Sequence, residues 1–141
     1  IMRRMTQNND LKVNKIIDSK KIIEMQKFTK EIYADEKIEE YIASIIDATH
    51  NPKKYKIEIE NYIEYGASPR ASISMMLGAK ANAILNGRGY VTPEDVHEIA
   101  PDILRHRIIL NYKADAENIT TDEIINKILD KHFQEWYTEK N

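Results

Sequence analysis

The sequence predicts an all-α fold, a small bundle of five or six helices. Glycine and proline number only four each among 141 residues, so residues that interrupt helices are sparse. Apolar residues recur in several windows at the three- and four-residue spacing of a helical face, and regular alternation is confined to one short segment. The length is that of one ordinary domain, which buries about two thirds of its unfolded surface.

The first two predicted helices follow one another closely. The first runs from about Asp18 or Ser19 to Tyr33, and the second starts after Asp35 and ends before Pro52. The apolar stripe of the first consists of Ile22, Ile23, Met25, Phe28 and Ile32. That of the second consists of Ile38, Tyr41, Ile42, Ile45 and Ile46.

The segment "NPKKYKIEIENYIEYGAS" follows, and two interpretations of it stay open. Ile57 and Ile59 alternate with charged residues, which fits a short strand. Residues 61–65 fit a helical turn equally well. We expect irregular structure here.

The third helix is predicted over about residues 69–86. Ser68 suits the N-cap, because its hydroxyl can accept a free backbone N–H, and Pro69 suits the first helical position. After the first turn the only charge is Lys80, which predicts a helix buried nearly all round. Gly87 ends it as a C-cap residue. The large residues expected in the core are Met75, Met76, Leu77, Ile84 and Leu85.

Capping signals mark the remaining helices. Thr92 caps the fourth and Pro93 takes its first position; the helix is short, and a further turn or two follows Pro101. Thr120 and Glu123 form a capping box that starts the last helix. The apolar residues of that helix are Ile124, Ile125, Ile128 and Leu129, and Trp136 is a further candidate.

Composition excludes several classes of function. Lys and Arg total 21 and Asp and Glu 23, for a net charge of −2, so no basic excess indicates a nucleic acid partner. The absence of cysteine excludes disulfides, thiolate metal sites and a cysteine nucleophile. Apolar runs are too short to span a membrane, and no signal peptide is visible. We therefore expect a soluble cytoplasmic protein.

No catalytic set is recognisable. The sequence contains neither a G-x-x-x-x-G-K-[ST] phosphate loop nor a G-x-G-x-x-G motif. Its histidines lack metal-ligand spacing, which predicts no metal site. Glu94 and Asp95 are interpreted as a solvated helix start rather than an acid–base pair. We expect no enzymatic activity from this chain alone.

Arg70 is the one unusual charge. It falls in the first turn of the third helix, where a cation faces the positive end of the helix dipole, at a cost of about 0.3–1 kcal/mol. One interpretation is that the side chain curls away and is solvated. The other is that an anion binds there, because free N–H groups and a guanidinium at one helix start suit a phosphate.

A long block of the sequence resembles the C-terminal lid of the MoxR family of AAA+ ATPases. The family pattern is roughly G-A-S-P-R-A, an alanine-rich helix, G-R-x-Y-V-x-P-x-D-V, then L-x-H-R. Residues Gly66–Ala71, Gly87–Val96 and Leu104–Arg107 match it, and Tyr41–Thr49 fits the preceding helix. At the next position, where the family often has arginine, this chain has His50.

The resemblance implies a division of the chain and a place for it in a longer protein. Residues 1–12, which include "IMRRM", match the end of the ATPase core or a linker. Residues 13–131 are the helical lid, and residues 132–141 are a C-terminal tail. The fold expected from the resemblance is the AAA+ lid type of helical bundle.

The resemblance also implies roles for individual residues. Arg70 is the sensor-2 arginine, which reaches the γ-phosphate of ATP held with Mg²⁺ mainly by a separate α/β core, and Ser68 and Pro69 position it. Candidates for the lid–core or subunit interface, with simple solvation as the alternative, are Arg88, Arg105, His106 and Arg107.

The parent protein implied by the resemblance is an ATP hydrolase. It assembles into a ring, usually of six subunits, and couples ATP binding and hydrolysis to chaperone-like remodelling of partner proteins. Those partners often carry von Willebrand factor A domains.

Two other functions compete with this interpretation. A non-catalytic helical module that binds protein or DNA fits an all-α domain, although the near-neutral charge disfavours tight binding to a phosphate backbone. An all-α metabolic enzyme is the least favoured, because no catalytic constellation supports it.

Overall fold

The computed structural model describes residues 14–59 and 61–138, and the predicted all-α fold is confirmed. The described residues form six α-helices, a short 3₁₀ helix and a two-stranded sheet. The helices are α1 (Ser19–Glu31), α2 (Glu36–Ala48), α3 (Arg70–Leu85), α4 (Pro93–Leu104), α5 (Tyr112–Ala116) and α6 (Thr121–Thr138). The 3₁₀ helix is Pro52–Tyr55, and the strands are β1 (Ile63–Tyr65) and β2 (Ile109–Leu110).

Helices α2 and α6 provide much of the core, as predicted. The Asp35 carboxylate caps α2 by accepting the N–H of Lys37 at 3.0 Å. The capping box of α6 forms: Thr120 Oγ1 accepts the N–H of Glu123 at 3.2 Å, and the Glu123 carboxylate accepts the N–H of Thr120 at 2.7 Å. The apolar residues predicted for the stripes of these two helices are buried, except Trp136 of α6, which is half-buried against the core.

The segment before α3, for which two interpretations stayed open, contains one strand, and this strand begins after the alternating isoleucines. β1 pairs antiparallel with β2, with Ile63 opposite Leu110 and Tyr65 opposite Ile109. Ile57, which precedes it in the chain, is buried in irregular backbone. The alternation therefore reflected the burial of loop side chains rather than sheet pairing.

Helix α3 is less buried than predicted. Its inward face is a stripe of mostly small residues, while Leu77 is partly exposed and Leu85 is 85% exposed. The buried residues of α3 are Ala71, Met75, Ala79 and Ala83. The small residues bring α4 close: a Cβ added at Gly78 would lie 3.2 Å from side-chain carbons of Ile99 and Ile103. Placing Leu77 and Leu85 in the core was wrong, because the small residues and not the large ones face α4.

Helix α3 ends in a tight C-terminal turn, and the helix after it, α4, is longer than expected. Gly87, with φ of 71°, donates to the Ile84 carbonyl, and Arg88 donates to the Ala83 carbonyl, which is the Schellman pattern. The predicted C-cap role of Gly87 is confirmed. The further turn predicted after Pro101 is part of α4, which continues through this proline to Leu104, and Leu104 is fully buried.

Helix α1 leaves an apolar face uncovered. The helix packs beside α3, and its bounds agree with prediction, but none of its residues is fully buried. Ile32, just after its end, is the one member of the predicted stripe that is buried. We call the four remaining members, each about half exposed, the α1 apolar face: Ile22, Ile23, Met25 and Phe28.

The described residues cover only part of the predicted division of the chain. The segment predicted to end an ATPase core, 1–12, lies outside the described residues. Helix α6 runs across the predicted start of the tail, and His132 is buried in it. Among the described residues, no helix is both long and apolar enough to cross a membrane.

Candidate functional site

The start of α3 carries the candidate site, and its backbone differs in one respect from the prediction. Pro69 has helical backbone angles, φ −53° and ψ −26°, which suit the first helical position. The predicted cap, a backbone N–H donated to the Ser68 hydroxyl, is not formed. Instead the Ser68 carbonyl accepts the N–H of Ala71 at 2.8 Å and the Pro69 carbonyl accepts that of Ser72 at 3.1 Å. These i→i+3 bonds tighten the first turn and make the hydroxyl cap unnecessary.

Arg70 stands at this helix start with an exposed side chain. Within residues 14–59 and 61–138 it makes no hydrogen bond and no ion pair. No carboxylate from the described part of the chain offsets the unfavourable end of the helix dipole. The guanidinium is therefore open to an anion from outside these residues.

The chain that enters α3 is held by the end of α2. Ala67 donates its N–H to Thr49 Oγ1 at 2.9 Å, and its carbonyl accepts from His50 Nε2 at 2.7 Å. Because a carbonyl can only accept, His50 carries its proton on Nε2. Thr49 Oγ1 in turn donates to the Ile46 carbonyl at 2.7 Å, which fixes its rotamer. We call the pair Thr49 and His50 the α3 clamp.

Gly66 lies directly against the α3 clamp. A Cβ added there would be 2.7 Å from both the carbonyl oxygen and Oγ1 of Thr49, and 2.8 Å from Nδ1 of His50. Real Cβ atoms do not approach other atoms so closely. Glycine is thus required here for close approach of two segments rather than for a turn.

A polar network braces the turn that carries His50. The Asp47 carboxylate accepts from Lys54 at 2.6 Å, Tyr55 at 2.7 Å and Asn51 at 2.7 Å. These hydrogen bonds, that from Lys54 foremost, hold the pKa of Asp47 below its ordinary value. The network closes the loop on both sides of His50.

Arg88, one of the predicted interface residues, is engaged within the domain. Its Nη1 and Nη2 contact the two oxygens of Asp95 at 2.7 and 2.6 Å, a bidentate pair. Asp95 is only 1% exposed and also accepts the N–H of Thr92, at 2.9 Å, and Asn82 Nδ2, at 3.2 Å. The interpretation of Asp95 as a solvated residue was wrong, because the turn after α3 brings Arg88 over it.

The other three predicted interface residues lie together after α4. Arg105 contacts Asp122 at 2.7 Å and Asp102 at 3.2 Å on the surface. His106 is exposed. Arg107 reaches Ser74 Oγ at 3.3 Å, and its buried Nε has no acceptor in the described part of the chain.

The position of Ser74 relates Arg107 to the candidate site. Ser74 lies four residues after Arg70, one turn along the same face of α3. Two arginines of the described segments have no carboxylate partner: Arg70, which starts α3, and Arg107, which contacts the first half of α3 through Ser74. Arg88 and Arg105 have internal partners.

Catalytic clusters do not emerge from the fold. Within the described ranges, no three His, Asp or Glu side chains are grouped so that they could hold a metal ion. The sequence also lacks a phosphate loop. The site as described can orient a guanidinium toward an anion, and nothing in it supplies a nucleophile or a proton relay.

Comparison with known families decides the nature of the domain. A sequence profile described as the AAA lid domain matches residues 56–128, which include β1, α3, α4 and most of the core. The chain belongs to the AAA lid domain family. The matched region contains Gly66 and Arg70 but begins after the α3 clamp.

Curated relatives show that the lid is of the MoxR type. The chain is 32% identical over 115 residues to a protein of Mycobacterium tuberculosis named chaperone MoxR1, covering 81% of this chain and 30% of that protein. It is 33% identical over 114 residues to the uncharacterised protein YeaC of Bacillus subtilis, covering 81% of this chain and 33% of that one. The chain thus spans about a third of the length of these relatives.

A solved structure shares the fold. The crystal structure of a candidate ATPase from Cytophaga hutchinsonii superimposes with a TM-score of 0.83 at 44% sequence identity, over 92% of this chain and 40% of that chain. The agreement extends over nearly the whole length of this chain, so the arrangement of α1–α6 is shared with the corresponding part of that ATPase structure.

Proposed function

We propose that this domain is the lid of a longer MoxR-type ATPase, in which it closes over ATP and contributes a sensor-2 arginine. In this proposal Arg70 donates to the γ-phosphate, and the closing and opening of the lid couple ATP binding and hydrolysis to chaperone-like remodelling of partner proteins. Ser68 and Pro69 position Arg70 through their carbonyls at the first turn of α3.

The exposed, unpaired guanidinium of Arg70 carries this proposal. Arginine at a helix start is unfavourable unless an anion compensates it, and no described carboxylate does so. A charge-assisted contact to phosphate is worth about 1.5–3 kcal/mol, enough to bias a hinged domain between two states.

The described residues fit a contact to the phosphates of a nucleotide, and the rest of a nucleotide site is not found among them. Arg70 suits a phosphate oxygen, since a guanidinium donates in a fixed fork. The described residues include no carboxylate cluster for Mg²⁺ and no phosphate loop. ATP and Mg²⁺ would therefore be held mainly by an α/β core elsewhere in the longer protein.

Two surfaces support docking to that core or to neighbouring subunits of a ring, which the proposal takes as a hexamer. The α1 apolar face groups four half-exposed apolar side chains on one helix, and Ile73 and Leu77 of α3 are also exposed. Arg107, which is half-buried, has no carboxylate partner among the described residues. Arg105 and His106 precede Arg107 in the chain and are exposed.

Arg88 is the weakest interface candidate, because its guanidinium is already paired with Asp95 within the domain. Partners with von Willebrand factor A domains remain part of this proposal.

Replacing Arg70 in the longer protein tests the proposal. We expect Arg70→Ala to lower kcat/KM for ATP about 10- to 150-fold, the factor equivalent to one charge-assisted contact. Arg70→Lys should recover only part of the loss, because lysine keeps the charge without the fork. Steady-state turnover and nucleotide binding by calorimetry are the measurements.

Lys127→Ala provides the matched control, since it removes one exposed positive charge on α6. It should turn over ATP within about twofold of the parent. The 141-residue chain alone serves as the blank. Unchanged turnover and unchanged ATP affinity in Arg70→Ala would contradict the sensor role.

A helical protein-binding module is the second candidate, and the α1 apolar face favours it over a DNA-binding module. In that case the longer protein would bind its partner through α1 without responding to Arg70→Ala. The same experiment separates the two functions.

A further inference from the structure

We propose that the α3 clamp, Thr49 and His50, sets the direction in which Arg70 points. This inference rests on the proposed function, and it assigns positioning roles to two residues at the end of α2. They act through the backbone of Ala67, three residues before Arg70.

The two clamp residues hydrogen-bond to both backbone polar groups of Ala67, its N–H and its carbonyl. Ala67 is fully buried, with its N–H on Thr49 Oγ1 and its carbonyl on His50 Nε2. The N–H belongs to the peptide unit before Ala67 and the carbonyl to the unit after it, so neither unit can rotate without breaking a hydrogen bond to the clamp. Such a loss leaves an unsatisfied group, which costs more than the net worth of the bond.

Little freedom remains between the clamp and the arginine. Ser68 and Pro69 separate Ala67 from Arg70, and the pyrrolidine ring fixes φ at Pro69. The carbonyls of both residues already accept hydrogen bonds from the first turn of α3. The orientation of Ala67 is thus transmitted to the first turn, where a displacement of about 1 Å at a reacting group can cost up to 100-fold in rate.

The clamp is itself rigid on the α2 side. Thr49 is 1% exposed and bonded to the Ile46 carbonyl, and the Asp47 network closes the turn around His50. Gly66 is pressed against both clamp residues with no space for a Cβ. The contact therefore has one geometry, which is the requirement for positioning.

Paired variants in the longer protein test the clamp. Thr49→Val keeps the shape and removes the acceptor, while Thr49→Ser keeps the hydroxyl. His50→Leu removes the donor, while His50→Gln keeps an N–H near the same place. We expect Thr49→Val and His50→Leu to lower kcat/KM for ATP about three- to tenfold, and the two conservative variants to stay within about twofold.

A double-mutant cycle asks whether the clamp acts through Arg70. In an Arg70→Ala background, His50→Leu should cause no further loss, since the residue it positions is gone. Full multiplication of the two losses would overturn the inference, and so would normal turnover in both Thr49→Val and His50→Leu while Arg70→Ala is impaired. Normal turnover in Arg70→Ala would overturn the sensor proposal and this inference together.

Amide exchange tests the contact without reference to ATP. In the 141-residue chain the Ala67 amide should be protected, and Thr49→Val should speed its exchange about tenfold or more while Thr49→Ser does not. Equal protection in Thr49→Val would show that the hydroxyl does not hold the entry to α3, and would overturn the inference. His50→Leu, at an exposed position, covers the case in which Thr49→Val unfolds the domain.

Discussion

The charged residues of this lid differ in whether another side chain of the domain hydrogen-bonds to them. Asp95 is a carboxylate at a helix start, yet it is buried and accepts from Arg88, Thr92 and Asn82. Burial tends to raise the pKa of Asp95, but the hydrogen bonds and charge of Arg88 and the N–H of Thr92 outweigh it and leave the pKa below its ordinary value. The Arg88–Asp95 pair thus fixes the join between α3 and α4.

Breaking this pair should cost substantial stability. We expect Asp95→Ala to lower the free energy of unfolding by about 2–4 kcal/mol, because it leaves Arg88 and the Thr92 N–H without an acceptor. Asp102→Ala, which removes an exposed partner of Arg105, should cost at most about 0.5 kcal/mol. Urea titration followed by circular dichroism measures both, and equal costs would refute a structural role for Asp95.

Part of this residue-level detail was accessible from sequence. The spacing of Thr92 and Asp95 matches a capping box, which predicts that the carboxylate turns back to the helix start. The partnership with Arg88, seven residues earlier, depends on the turn that the Gly87 C-cap makes. The position of Arg70 in the first turn was predicted correctly, whereas the Ser68 cap was not.

At the scale of elements, α1 differs from the other long helices because it lacks a cover. Its apolar face is half exposed, and Phe28 is 54% exposed. Most helical stability in proteins comes from packing an amphipathic face, so a helix packed on one side only is expected to open more readily than its neighbours. A docked core would supply the missing contacts.

Hydrogen exchange can detect that cover. In the 141-residue chain, peptides from α1 should exchange about ten times faster or more than peptides from α6, which buries four isoleucine and leucine side chains. In the longer protein, the exchange of α1 should slow while that of α6 changes little. The measurement is exchange followed by mass spectrometry, and an α1 that exchanges equally in both proteins would rule out docking on this face.

At the scale of the whole molecule, three ionisable groups, His132, Asp47 and Asp95, share one dependence of stability on acid. Burial lowers the pKa of His132 from 6.5, opposed by its hydrogen bond to the Ile128 carbonyl. Asp47 and Asp95 have pKa values held below 3.8 by their partners. For all three, the unfolded chain binds protons at a higher pH than the folded one, so stability is present above the unfolded pKa and is lost as pH falls.

The free energy of unfolding should therefore fall with acid in two stages. As pH falls below about 6.5, the unfolded chain takes up a proton at His132, with a slope of at most about 1.4 kcal/mol per pH unit. Below about pH 4 the aspartates add a steeper loss. Urea midpoints measured from pH 7.5 to 3 test this.

His132→Leu should flatten the first stage and leave the second. His106→Leu, at an exposed site, should leave both in place. A first stage that persists in His132→Leu would assign the acid sensitivity to another group.

The sequence by itself determined the helices and the family. Caps, periodic stripes and the G-A-S-P-R-A and G-R-x-Y-V patterns are local, so they could be recognised without knowing what packs against them. They were enough to predict the lid fold and to single out Arg70. Local patterns also predicted correctly that α2 and α6 would bury their stripes.

Only the tertiary structure decided which faces are buried and which charges are paired. The α3 clamp joins residues 17 and 18 positions apart in the chain, and the exposure of the α1 apolar face depends on what α3 leaves uncovered. Periodicity cannot distinguish an apolar face that packs within its own domain from one that stays exposed until another domain packs against it. That choice depends on contacts between distant segments, which form only when the chain is folded.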